Sequence, residues 1–111
     1  MKKLGVLISG SGTNLQAIID NIETGFIPAE ISIVISNNPD AYGLKRAEKK
    51  GIPIEVINHK DFPSREEFEK KLIEVLDSYN VDYVILAGFM RVLTDFFINH
   101  FKNRISKWLG K

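Results

Sequence analysis

The chain has 111 residues, a net charge of +1, 44% apolar and 26% charged residues, and no cysteine. That length supports one modest domain. Basic residues interleaved with acidic ones leave no basic surface for nucleic acid or an anionic membrane, and the lack of cysteine excludes thiol catalysis, disulfides and cysteine-ligated metal.

Residues 4–8 are a continuous apolar run, as in a strand covered on both faces. The run is too short for a signal segment or a membrane span, so a cytoplasmic protein is expected. Ser9-Gly10-Ser11-Gly12 interrupts it. From Thr13 the apolar period turns helical, with Leu15, Ile18, Ile19 and Ile22 on one face. Thr13 and Gln16 make a capping-box pattern, and Gly25 is placed to end the helix. A second strand over residues 31–35 stops at Ser36-Asn37-Asn38-Pro39-Asp40, and a helix over 41–50 is capped by Gly51. Residues 54–57 form a third strand and 58–63 a loop. Ser64 and Glu67 make a second capping box for a helix with Phe68, Leu72, Val75, Leu76 and Tyr79 on one face. A fourth apolar strand over 81–87 leads into Gly88-Phe89-Met90-Arg91, and Thr94-Asp95 opens a helix through Phe101. Residues 106–111 match no element and read as a tail.

Strands alternating with helices imply an α/β protein. The expected architecture is a Rossmann-like parallel sheet of four right-handed βα units in the order 3-2-1-4. Ligands of such sheets sit beyond the carboxyl ends of the strands, at the switch point in strand order. Ser9-Gly10-Ser11-Gly12-Thr13-Asn14 lies there, and the N–H groups and partial positive charge of a helix N-terminus suit a phosphate. Leu15 stands where a dinucleotide fingerprint has its last glycine, and no Gly-Lys-Ser/Thr follows. On position alone, a tight turn before a helix is the alternative, and nothing names the phosphate. His59, in a polar loop, and His100, near a helix end, carry no motif and read as structural or solvated.

Residues 8–18 (Ile-Ser-Gly-Ser-Gly-Thr-Asn-Leu-Gln-Ala-Ile) resemble the opening of the glycinamide ribonucleotide formyltransferases. The resemblance continues through Ser36-Asn37, Ala41-Tyr42-Gly43-Leu44 and Phe62-Pro63-Ser64-Arg65-Glu66, and is most specific at Leu86-Ala87-Gly88-Phe89-Met90-Arg91-Val92-Leu93. It implies transfer of a formyl group from 10-formyltetrahydrofolate, the co-substrate, to the amine of glycinamide ribonucleotide in purine synthesis, with no metal. Carried over residue by residue, Gly12, Thr13 and Asn14 hold the ribonucleotide phosphate. Arg65, Met90, Arg91, Val92 and Leu93 border the folate, Arg65 by charge to the benzoylglutamate end. Without the resemblance, Arg65 reads equally as a solvated surface residue and Phe89-Met90 as closure of the core.

The resemblance runs from about Lys3 to Ile105, and residues 1–105 are expected to be the phosphate-binding N-terminal subdomain of a fold that is here incomplete. Residues 106–111 depart from it. The family continues with an Asn-x-His-Pro segment and a later Asp, which serve oxyanion and acid–base roles. Here Lys107 and Leu109 fall where the Asn and His belong. The expectation is a truncated enzyme that keeps its binding residues but no catalytic ones. A fourth strand left as an exposed apolar edge would invite self-association. The alternative is a non-catalytic phosphate- or nucleotide-binding module, or half of a split enzyme.

Overall fold

Strands and helices alternate along the chain as β1 (Lys2–Ile8), α1 (Thr13–Glu23), β2 (Ala29–Ser36), α2 (Gly43–Lys49), β3 (Ile54–Val56), a short 3-10 helix (His59–Asp61), α3 (Arg65–Ser78), β4 (Tyr83–Leu86), α4 (Asp95–His100) and β5 (Ile105–Lys107). These elements belong to a computed structural model that describes residues 1–109. All pairings are parallel, in the order β3-β2-β1-β4-β5.

The runs Leu4 to Ile8 in β1, Ile33 to Ile35 in β2 and Val84 to Leu86 in β4 carry no polar side chain because both sheet faces are covered there. Leu4, Val6 and Ile8 of β1 face α1 and α2 and join Leu15, Ile18, Ile19, Val34 and Leu44. Leu7 faces α3 and α4, among Ile33, Ile35, Phe68, Leu72, Leu76, Phe97 and Phe101. The expected helical faces are the buried ones. Ser64 caps α3 by accepting from the Glu67 N–H at 3.2 Å. Gly51, at φ +69°, ends α2 with the Ile52 N–H bonded back to the Ala47 carbonyl at 3.0 Å.

Four sequence expectations need correction. A fifth strand exists where a tail is expected. Ile105-Ser106-Lys107 is too short and too polar to show a period, and is recruited because β4 has unpaired backbone groups to satisfy. Val84 N–H reaches the Arg104 carbonyl at 2.8 Å, and Trp108 N–H reaches Leu86 at 2.9 Å. The edge of β4 is therefore covered, and the sheet ends instead in two three-residue strands, β3 and β5. Gly110 and Lys111, the rest of the expected tail, lie outside the described residues. The N-cap of α1 is Gly12, not Thr13, and no side chain caps the helix, because the turn needs a left-handed residue at that position. Finally, β4 begins at Tyr83 rather than Val81. Asn80, at φ +55°, turns the chain there, and Val81 is buried from a connection rather than from a strand.

Glu69 is fully buried, on the core side of α3. Its carboxylate accepts from the Thr94 N–H at 2.8 Å and from the Thr94 hydroxyl, so it anchors the start of α4. His100, half-exposed, pairs with Asp77 at 2.9 Å, in keeping with a structural role. Among the described residues no helix is long and apolar enough to cross a membrane. Replacing Glu69 by Ala strands both Thr94 donors and is expected to cost about 2–3 kcal/mol. Thermal unfolding should register this as a drop of roughly 10 °C, with Glu69→Gln, which keeps one acceptor oxygen, falling less.

Candidate functional site

Because the sheet is parallel, β1, β2, β3 and β4 release the chain at one edge. Segments 9–12, 36–40, 57–63 and 87–93 therefore crowd together there. Three adjoining clefts open between them.

The first, about 190 Å³, lies between the ends of β1 and β4, where the strand order reverses. Gly10, Ser11, Gly12, Thr13 and Asn14 line one side, and Ala87, Gly88 and Met90 the other. Gly12 sits at φ +78° and α1 starts directly behind it, with no side chain across its first N–H groups. Asn14 reaches toward the opposite wall, where a Cβ on Gly88 would lie 3.6 Å from its amide nitrogen. Gly12, Thr13 and Asn14 all line this cleft.

The third cleft, about 300 Å³, is lined by His59, Phe62, Pro63, Ser64, Arg65, Phe68 and Arg91. Arg65 opens α3 and Arg91 follows β4 by five residues, yet both line one depression. No carboxylate lines it. Met90 is 80% exposed and lines the first cleft as well as the second. Val92 is also exposed. Leu93 differs from its neighbours, packing with Phe89 against the core between α3 and α4.

The second cleft, about 430 Å³, joins the other two and was not foreseen. Its floor is a buried hydrogen-bonded chain. Ser9 Oγ donates to Asn37 Oδ1 at 2.5 Å and accepts from the Met90 N–H at 2.7 Å. The Asn37 amide then approaches His59 Nδ1 at 3.4 Å, an arrangement that leaves the His59 proton on Nε2. Ser9 thereby ties the end of β1 to the segment after β4, across 81 residues of sequence. No sequence signal marks this. Ser9 looks like a turn residue, and His59 meets its partner only through the pairing of β2 with β3. Partial burial, followed by the charges of Arg91 and Lys60, holds the His59 imidazole below its ordinary value.

The formyl transferase family profile matches residues 2–106. The phosphoribosylglycinamide formyltransferase of Haemophilus influenzae is 49% identical over 105 residues, which cover 95% of this chain and 50% of that protein. The Escherichia coli enzyme of the same description is 46% identical over 100 residues, covering 90% of this chain and 47% of that one. A solved phosphoribosylglycinamide formyltransferase structure from Coxiella burnetii superimposes with a TM-score of 0.90 at 50% identity, covering 94% of this chain and 49% of that one. The chain spans about half the length of these relatives.

Ser9→Ala removes the acceptor for Met90 N–H and the donor to Asn37, and is expected to destabilise by about 1–3 kcal/mol. Hydrogen exchange should quicken at Met90 before it does in the strands. For His59, an NMR titration should give a midpoint below 6.5, since desolvation and two cations favour the neutral ring. The stability tied to neutral His59 is then complete above 6.5 and is lost as pH falls through the lower folded-state value. A midpoint at or above 6.5 would contradict this reading.

Proposed function

The chain belongs to the formyl transferase family, and from that premise we propose that it binds the two substrates of glycinamide ribonucleotide formyl transfer in purine synthesis. The observation that carries the proposal is the uncapped start of α1, which opens at the switch point and faces Gly88 and Met90.

Gly12, Thr13 and Asn14 hold the ribonucleotide phosphate. The glycine lets the backbone come close, the first N–H groups of α1 donate, and the helix dipole favours the negative charge. Arg65, Met90, Arg91, Val92 and Leu93 border 10-formyltetrahydrofolate. Arg65 and Arg91 suit the carboxylates of its benzoylglutamate end, since two planar guanidiniums can pair with them in fixed geometry and no acidic side chain competes in the cleft. Exposed Met90 and Val92 offer apolar surface to the rings, while Leu93 anchors the segment in the core. Between the two sites stands Met90, whose backbone position is set by Ser9. The cytoplasmic location drawn from the sequence is part of the same proposal, as is the extent of the binding subdomain, 1–105.

Formyl transfer requires attack by the substrate amine on the formyl carbon, a stabilised oxyanion and removal of a proton. In this chain Lys107 ends β5 and cannot accept a proton while charged, and exposed Leu109 follows without a titratable group. With Lys107 and Leu109 at these positions, the chain is expected to bind without turning over.

Calorimetry with glycinamide ribonucleotide and, separately, p-aminobenzoylglutamate tests the two sites. The wild-type chain should bind both, and Asn14→Ala should weaken only the first. Arg65→Ala with Arg91→Ala should weaken the second about tenfold or more and reduce its salt dependence. Absence of both binding events overturns the proposal, and formyl transfer at ordinary rates overturns the claim of binding without turnover.

A further inference from the structure

The loop that faces the first cleft is not held in shape by its own residues. Gly10 and Ser11 are exposed, and α1 has no side-chain cap. The restraint comes from α2, on the far side of the loop. Gly43 N–H donates to the Gly10 carbonyl at 3.0 Å. Arg46 Nε donates to the Ser11 carbonyl at 2.8 Å, and Arg46 Nη1 reaches Gln16 Oε1, on α1, at 3.4 Å. The guanidinium is steadied by the ring of Tyr42, whose centroid lies 5.1 Å away. Arg46 does not line the cleft.

This geometry has a consequence for anion binding. Two consecutive carbonyls, those of Gly10 and Ser11, are drawn toward α2. In a trans peptide the N–H points opposite the C=O, so the N–H groups of Ser11 and Gly12 are turned away from α2. Rotation of the Ser11–Gly12 peptide would reverse this and present a carbonyl oxygen, a repulsive group, to an incoming anion. The charge-assisted bond from Arg46 opposes that rotation. A guanidinium behind the loop also adds positive potential without meeting the ligand.

We infer that Arg46 is a positioning residue for the phosphate-binding loop, locking the Ser11 carbonyl away from the anion so that the backbone N–H groups face it. The inference rests on the phosphate reading of the loop. A lysine at this position keeps the charge but not the fork that spans Ser11 and Gln16, so charge and geometry can be separated.

The experiment titrates the full chain with ribose 5-phosphate, and with p-aminobenzoylglutamate as a probe of the Arg65–Arg91 cleft. Melting temperatures and the Gly12 amide signal are followed in parallel. Arg46→Ala is expected to weaken ribose 5-phosphate about tenfold or more, to shift the Gly12 amide, and to leave the second probe unchanged. Arg46→Lys should recover part of the loss, and Arg46→Gln, neutral but still a donor, less. Wild-type affinity in Arg46→Ala overturns the inference. A parallel loss of both probes and of melting temperature also overturns it, because that is plain destabilisation. If the unaltered chain binds p-aminobenzoylglutamate but not ribose 5-phosphate, the phosphate reading itself fails and takes this inference with it.

Discussion

Gly12 and Gly43 meet backbone to backbone. A Cβ on Gly12 would lie 2.4 Å from the Gly43 Cα, and a Cβ on Gly43 would lie 2.6 Å from Ile8 Cδ1 and 3.0 Å from the Gly12 Cα. Neither position has room for a side chain, and Gly12 also needs φ +78°. The contact lets α2 press against the turn after β1, which brings the Gly43 N–H to Gly10 and Arg46 to Ser11. Without it the loop would stand off from α2 and the start of α1 would lose its aim at the first cleft. The usual side-chain cap is given up at this helix start, worth about 1 kcal/mol elsewhere, and its first N–H groups are left without a capping side chain.

The opposite wall of that cleft depends on long-range polar contacts. The segment between β4 and α4 is pinned at both ends, at Met90 by the hydroxyl of Ser9 and at Thr94 by the buried carboxylate of Glu69. Between these anchors Leu93 and Phe89 sink into the core while Met90 and Val92 face outward. The loop of residues 87–94 thus presents apolar side chains to solvent without losing its path. Arg91 leaves the same segment to line one cleft with Arg65, and partial burial, followed by the charges of Arg91 and Lys60, holds the neighbouring His59 imidazole below its ordinary value.

The order of strands explains why these parts converge. β1 lies at the centre of the sheet, with β2 on one side and β4 on the other, and all three point the same way. Every loop that follows them therefore emerges at one edge, whatever its distance in sequence. Arg104 adds to this by donating to the carbonyls of Val81 and Asp82, while Asp82 accepts from the Lys3 N–H at 2.8 Å. Those bonds set the register in which β4 enters beside β1.

Much of this was legible in the amino-acid sequence. Continuous apolar runs marked the central strands, Ser64 and the glycines at 25 and 51 marked helix ends, and the resemblance singled out Gly12, Thr13, Asn14, Arg65 and residues 90–93 as candidates. These signals are local: a period, a cap or a run is written within a dozen residues. Tertiary structure decided what depends on neighbours distant in sequence. Lys107 became part of a strand because β4 offered unpaired groups, not because Ile105-Ser106-Lys107 carries a strand pattern. Gly12 replaced Thr13 as the cap because the turn needs a left-handed residue there, with Gly43 packed against it. Ser9, Asn37 and His59 form one chain of contacts only because β1, β2 and β3 are adjacent, and Arg46 touches the loop only because α2 packs beside α1. Hydrogen bonds across 22 to 81 residues leave no periodic trace, since each partner alone is an ordinary polar residue in a turn or on a helix.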